Sequence, residues 1–147
     1  MILNRQRAVR VARRPLESFL RQVQDEVGFQ GAGVTVCLVS DAEIARLNET
    51  FRKKKGTTDV LSFPAVVRRR PLWPGSKAVM AGGILGDIAI SPATARRYAK
   101  KHRRKLASEI RVLILHGVLH LLGYDHEADR GEMDRFEQRL RKRLGLA

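Results

Sequence analysis

Three of the four histidines in this chain, His116, His120 and His126, fall within eleven residues, in the string HGVLHLLGYDH. Imidazole is the commonest protein ligand for transition metals, and this spacing suits a site built on a helix end. Positions 116 and 120 are four apart, which on a helix stacks their side chains on one face with β-carbons about 5–6 Å apart. His126 would point elsewhere if the helix ran on, because six further residues turn it by about 240° at about 100° each. Gly123 removes that obstacle, since glycine readily adopts the left-handed conformation that ends a helix and turns the chain back. The third imidazole then approaches the same ion from outside the helix. Three neutral nitrogens leave one position of a tetrahedral zinc open, the arrangement of a catalytic site rather than a closed structural one. A water held there has its pKa lowered to about 7 and can serve as nucleophile or base. Imidazoles also suit nickel, copper and iron, so the spacing alone does not select the metal.

The three histidines and Gly123 match the long zinc signature of the metzincin proteases, His-Glu-x-x-His-x-x-Gly-x-x-His, with one departure. The protease's general base is the glutamate after the first histidine, and that position is Gly117 here. Peptide hydrolysis by that mechanism loses its proton shuttle, which argues against a protease. A second informative segment is FRKKKGTTDVLSFP, in which Arg52, Lys53, Lys54 and Lys55 are consecutive. One reading is electrostatic only: basic residues at a helix C-terminus complement its dipole. The other is a phosphate-binding loop, with arginine gripping two phosphate oxygens and stabilising charge that develops on a phosphoryl group near the metal.

The elements that must position these residues can be read from periodicity and caps. Apolar positions Leu16, Phe19, Leu20, Val23 and Val27 predict a helix over 16–27, with Pro15 in its first turn. Residues 33–39 are rich in β-branched types and predict a buried strand. Ser40-Asp41-Ala42-Glu43 is a capping-box pattern opening a helix that carries Ile44, Leu47 and Phe51. Residues 53–58 read as a basic loop and 59–67 as a strand. Residues 68–83, with three prolines or glycines in 71–75 and glycines at 82 and 83, read as a long connection. A strand over 84–90 follows, and Ser91-Pro92 supplies an N-cap and first-turn proline for a helix running toward His102. A strongly apolar helix over 106–122 then carries His116 and His120, and a basic amphipathic helix covers 130–144. This order predicts a single α+β domain over 1–147, a small mixed sheet of about four strands packed with helices, with the metal site on the long helix and its following turn.

Charge narrows the class of partner. The chain has 29 Lys plus Arg against 15 Asp plus Glu, a formal net charge of +14 in 147 residues. With 44% hydrophobic residues it can still bury a core, so the charge belongs to a folded surface. Such a surface attracts polyanions, of which nucleic acid is the commonest. No apolar run approaches the roughly 20 residues of a membrane-spanning helix, and arginines interrupt any signal-peptide segment at the N-terminus. The lone Cys37 cannot form an internal disulfide framework, which fits a cytoplasmic protein. Basic clusters at 5–14, 52–55, 68–70, 96–105 and 139–143 predict broad, salt-sensitive binding to a nucleic-acid backbone.

The strings HGVLHLLGYDH, FRKKKGTTDVLSFP and LGDIAIS, in this order in a basic chain of this size, resemble the bacterial YbeY family of endoribonucleases and rRNA maturation factors. The resemblance implies a single α+β domain, one zinc ion per chain on His116, His120 and His126, and a functional arginine at Arg52. Lys53, Lys54 and Lys55 would then add nonspecific phosphate contacts. It further implies RNA as partner, ribosomal RNA and the small ribosomal subunit in particular, with a role in ribosome quality control. Two other functions fit the residues: a noncatalytic ribosome-assembly factor with a structural metal, or a metal-dependent hydrolase of another phosphate ester. An open coordination position favours the enzymes, and a fourth protein ligand would favour the assembly factor.

The remaining candidates carry bland readings beside functional ones. Asp87 could accept from a metal-bound imidazole, although a structural hydrogen bond serves equally. Asp125 is a candidate second partner or proton acceptor. Tyr124 reads as packing, Met133 as core rather than a support beneath the metal, and Cys37 as inert. His102, among Lys100, Lys101, Arg103 and Arg104, reads as solvated or near phosphate. Trp73 is a candidate for stacking on a base.

Overall fold

The computed structural model describes residues 1–29, 31–66 and 83–146. Strands β1 (Ile2–Asn4), β2 (Gly33–Leu38), β3 (Val60–Pro64) and β4 (Ile84–Ile90) form one sheet in the spatial order β1-β2-β4-β3. The first two pairings are parallel, and β3 runs antiparallel to β4, so the sheet is mixed as expected. β1 lies in a stretch whose composition showed only its arginines. Its pairing with β2 is parallel and non-local, a kind of strand that propensity does not reveal. The Met1 amine reaches the Val34 carbonyl (2.9 Å), and Glu17 accepts from the free Ile2 N–H at the edge (2.8 Å).

Among the described residues five helices cover the sheet. α1 (Arg13–Val27) buries the five apolar residues that its periodicity singled out, and ends at Gly28 in the left-handed region. α2 (Asp41–Arg52) starts at Ser40, whose hydroxyl accepts from the Glu43 N–H (3.1 Å). The Glu43 carboxylate pairs with Arg5 instead of closing the box (3.4 Å). α3 (Pro92–Lys101) has the expected Ser91 cap and first-turn proline. α4 (Leu106–Leu121) is buried on nearly every side, and α5 (Glu132–Arg143) closes the chain.

One face of the sheet meets α1, α4 and α5 through the main core, which includes Leu20, Val36, Ile88, Ile114 and Leu119. The other face meets α2 through a small cluster of Val39, Ile44, Leu61 and Ala89. Cys37 packs against this second cluster, where burial first, and then Asp87, raise its thiol pKa. Several boundaries moved, and α1 starts three residues early, at Arg13. β3 stops at Pro64, three residues short of the predicted end, and α5 starts at Glu132 because Asp129 accepts from the Gly131 and Met133 N–H groups just before it. The predicted connection over 68–83, apart from Gly83, lies outside the described residues, together with the basic cluster 68–70 and Trp73. Among the described residues no helix is long and apolar enough to cross a membrane.

Candidate metal centre

The C-terminal end of α4 is where the histidines converge. Gly123 has φ 100°, its N–H bonds to the His120 carbonyl (2.9 Å), and the Tyr124 N–H bonds to the Leu119 carbonyl (3.1 Å). This paired closure is a Schellman turn, and it depends on the left-handed residue that glycine supplies. The chain therefore doubles back and brings His126 to the helix end. The three imidazoles offer ligand atoms all within 4.8 Å of one another, with ring centroids 4.6, 5.4 and 5.3 Å apart.

Hydrogen bonds decide which nitrogen of two rings faces inward. The Tyr124 carbonyl can only accept, so His120 Nδ1 (2.9 Å away) carries the proton and donates to it. His116 Nδ1 donates likewise to Glu137 Oε1 (2.7 Å). Glu137 is 5% exposed, and burial pushes its carboxyl pKa up. The hydrogen bond and charge of His116, with Arg141 at 2.8 Å, outweigh that and hold it below its ordinary value. Burial first, then the neighbouring rings of His116 and His126, lower the His120 pKa to about 4. His120 and the carboxylate-anchored His116 thus turn their other ring nitrogens toward each other, with Nε2 atoms 3.0 Å apart. Those inward nitrogens would meet on a shared cation. The donor set therefore fits a transition metal, and its outward nitrogens already hold the acceptors that such ligands use. Among the described residues the cluster comprises these three histidines and no fourth ligand.

Gly117 explains its own departure from the protease signature. A β-carbon there would lie 2.9 Å from both Ile88 Cδ1 and Cγ2, on the face of α4 pressed against β4. Ser62 Oγ also bonds to the Gly117 carbonyl (3.3 Å). A glutamate at this position would enter the core, so the missing general base follows from helix–sheet packing.

The histidines line a cleft of about 660 Å³ whose wall also carries Arg52, Lys54 and Lys55. Of the predicted basic run, Lys53 is absent from this lining. It caps α2 in the left-handed region (φ 56°) and thereby swings the loop. Buried Asn48 steadies that loop by donating to the Gly56 carbonyl (3.1 Å). Asp87 is exposed on β4 and faces the α2 side, away from α4. Asp125 lines the cleft, but its carboxylate accepts from the Glu127 N–H (3.0 Å) and shapes the turn. The Tyr124 ring packs on Phe136 (5.4 Å), Met133 is buried in the core, and His102 is exposed at the end of α3.

Two partners of the site escaped the sequence: the Tyr124 carbonyl and Glu137. A backbone carbonyl leaves no mark on residue type. Glu137 did leave a signal, because it shares the spacing of Met133, Phe136 and Leu140, the inward stripe of α5. A carboxylate on an apolar stripe needs a buried partner.

The family model described as Endoribonuclease YbeY matches residues 1–145. An Endoribonuclease YbeY of Solibacter usitatus is 46% identical over 141 residues, covering 95% of this chain and 85% of that one. The Endoribonuclease YbeY of Koribacter versatilis is 42% identical over 146 residues, covering 99% and 86%. A solution structure of a Thermotoga maritima protein superposes with a TM-score of 0.64 at 26% identity, covering 98% and 89%. With this match over nearly its whole length, the chain belongs to the YbeY endoribonuclease family.

Proposed function

We propose that this chain is a zinc-dependent, single-strand-specific endoribonuclease that acts in the cytoplasm on ribosomal RNA, in maturation and quality control of the small ribosomal subunit. One observation carries this reading: three histidines, two of them with hydrogen-bonded Nδ1 atoms that turn Nε2 inward, share an open cleft with Arg52, Lys54 and Lys55. Family membership supports the RNA-cleaving class, and the donor set supports one zinc per chain.

His116, His120 and His126 would hold the ion, and when bound it supplies Lewis-acid stabilisation of a phosphate. Glu137 and the Tyr124 carbonyl keep two of the rings aimed. Arg52 offers a planar fork to the non-bridging oxygens of the scissile phosphate, where negative charge grows in the transition state. Lys54 and Lys55 bind neighbouring phosphates as mobile point charges. An open cleft suits a flexible single strand, whose bases and phosphates can splay apart, better than a stiff paired helix. With Gly117 in place of a carboxylate, proton transfer has no dedicated glutamate, and turnover is expected to be slow.

Metal removal tests the reading. Protein made without a histidine tag should contain close to one zinc per chain by elemental analysis. Chelation should abolish cleavage of unstructured RNA, and zinc should restore it. Full cleavage by metal-free protein would overturn the proposal.

A further inference from the structure

A second hollow adjoins the metal cleft. It measures about 310 Å³ and is lined by Thr57, Thr94, Arg97, Tyr98 and Lys101. Thr57 lines both concavities, so the two meet at the loop that follows the Arg52–Lys55 run. Tyr98 is a large aromatic residue left 45% exposed on α3, where core packing makes no use of its ring. One turn on, the His102 ring lies parallel to it, with an interplanar angle of 4° and centroids 6.3 Å apart.

The charge beside these rings is basic. Among the described residues Lys101, which lines the hollow with Tyr98, makes no ion pair. Arg97 is held by Asp41 (3.0 Å) and Thr94 (2.9 Å), which fixes its guanidinium at the rim while its side chain stays 58% exposed. Basic residues ending a helix can simply complement its dipole. That explanation accounts for Lys101 but not for the exposed tyrosine beside it in the hollow. Flat aromatic faces flanked by unpaired cations are the chemistry that holds single-stranded nucleic acid, with bases stacked and phosphates neutralised.

We infer that the RNA strand passes from the metal cleft over Thr57 onto α3, where a base distant from the scissile phosphate stacks on Tyr98 and Lys101 holds the backbone. The inference rests on the endoribonuclease reading and adds a second binding region to it. Substrates long enough to reach α3 are therefore bound more tightly than those confined to the cleft.

The test is fluorescence anisotropy of labelled oligouridylates of increasing length, with the zinc-loaded full chain, beside Tyr98→Ala, Tyr98→Phe and Lys101→Ala. Tyr98→Ala should weaken binding of a long strand about fivefold or more, the lower range for loss of one stacked base. Tyr98→Phe should keep wild-type affinity, because it keeps the ring. A strand made abasic along its length should bind wild type and Tyr98→Ala equally. Lys101→Ala should flatten the dependence of log affinity on log salt by about 0.7 unit, the slope for one phosphate of a single strand. Ultraviolet crosslinking of the long strand should recover the peptide containing Tyr98. If wild type cleaves RNA while Tyr98→Ala binds the long strand as tightly and no crosslink forms, the inference falls, the endoribonuclease reading stands, and α3 faces a protein. If wild type neither binds nor cleaves RNA, both fall.

Discussion

Glu137 sits in a helix of mostly charged residues, yet its carboxylate joins the buried end of His116 to Arg141. Removing its charge while keeping its shape should loosen the ring rather than the fold. Glu137→Gln is expected to weaken metal affinity by about 10- to 100-fold, read by competition with a chromophoric chelator. Unchanged affinity would contradict the orienting role, and urea unfolding of the metal-free variant separates it from a loss of stability. The three histidines and Gly123 were legible because helix geometry relates their spacing to a common face and a stop. The Tyr124 carbonyl was not, since backbone direction after a Schellman turn is set by the turn and not by the residue it carries. Glu137 stood too far along the chain for spacing to link it to His116.

Helix–sheet contact governs the next scale. α4 approaches β4 so closely that position 117 admits no side chain without displacing Ile88, which is fully buried. Overpacking of this kind costs about 1–3 kcal/mol, and the better helix propensity of alanine offsets up to about 1 kcal/mol of that. Gly117→Ala should therefore lose about 1 kcal/mol in urea unfolding, and a stabilised variant would refute the packing account of the missing glutamate.

A second junction joins α2 to α3. Asp41, in the first turn of α2, accepts from Ser91 (2.6 Å), Thr94 (2.7 Å) and Arg97 (3.0 Å). Burial would raise its pKa, but these donors outweigh burial and hold it below 3.8. A carboxyl whose folded pKa is depressed stabilises the fold above its unfolded pKa, and loses that contribution as pH falls through the folded value. Asp41→Asn should accordingly lose about 1 kcal/mol at pH 7, a low figure because the carboxyl is 34% exposed. The gap from wild type should close below pH 3.8. A gap that stayed constant down to about pH 2 would show that shape, not charge, is what Asp41 supplies. Capping residues and periodicity made these helices readable, whereas β1 and the short β3 depend on partners distant in sequence.

Across the whole molecule, the +14 charge and the metal centre divide the work. Composition indicated a polyanion but not where it sits. The fold places one basic run, through Arg52, Lys54 and Lys55, in the cleft with the histidines, and a second basic group, Arg97 and Lys101, on α3 beyond Thr57. The mixed sheet makes this possible, because β3 returns antiparallel beside β4 and sets the loop after α2 opposite the end of α4. That arrangement could not be read from the sequence, where Arg52 and His116 are 64 positions apart. Under the proposed function, metal ligands and arginine act on one phosphate. The most direct measurement is cleavage of unstructured RNA by zinc-loaded, nuclease-free wild type beside Arg52→Ala and His120→Ala. Both variants are expected to lose activity by about 100-fold or more, in the range for removing a group that stabilises transition-state charge. Equal cleavage by all three proteins would contradict the shared role of the metal ligands and Arg52.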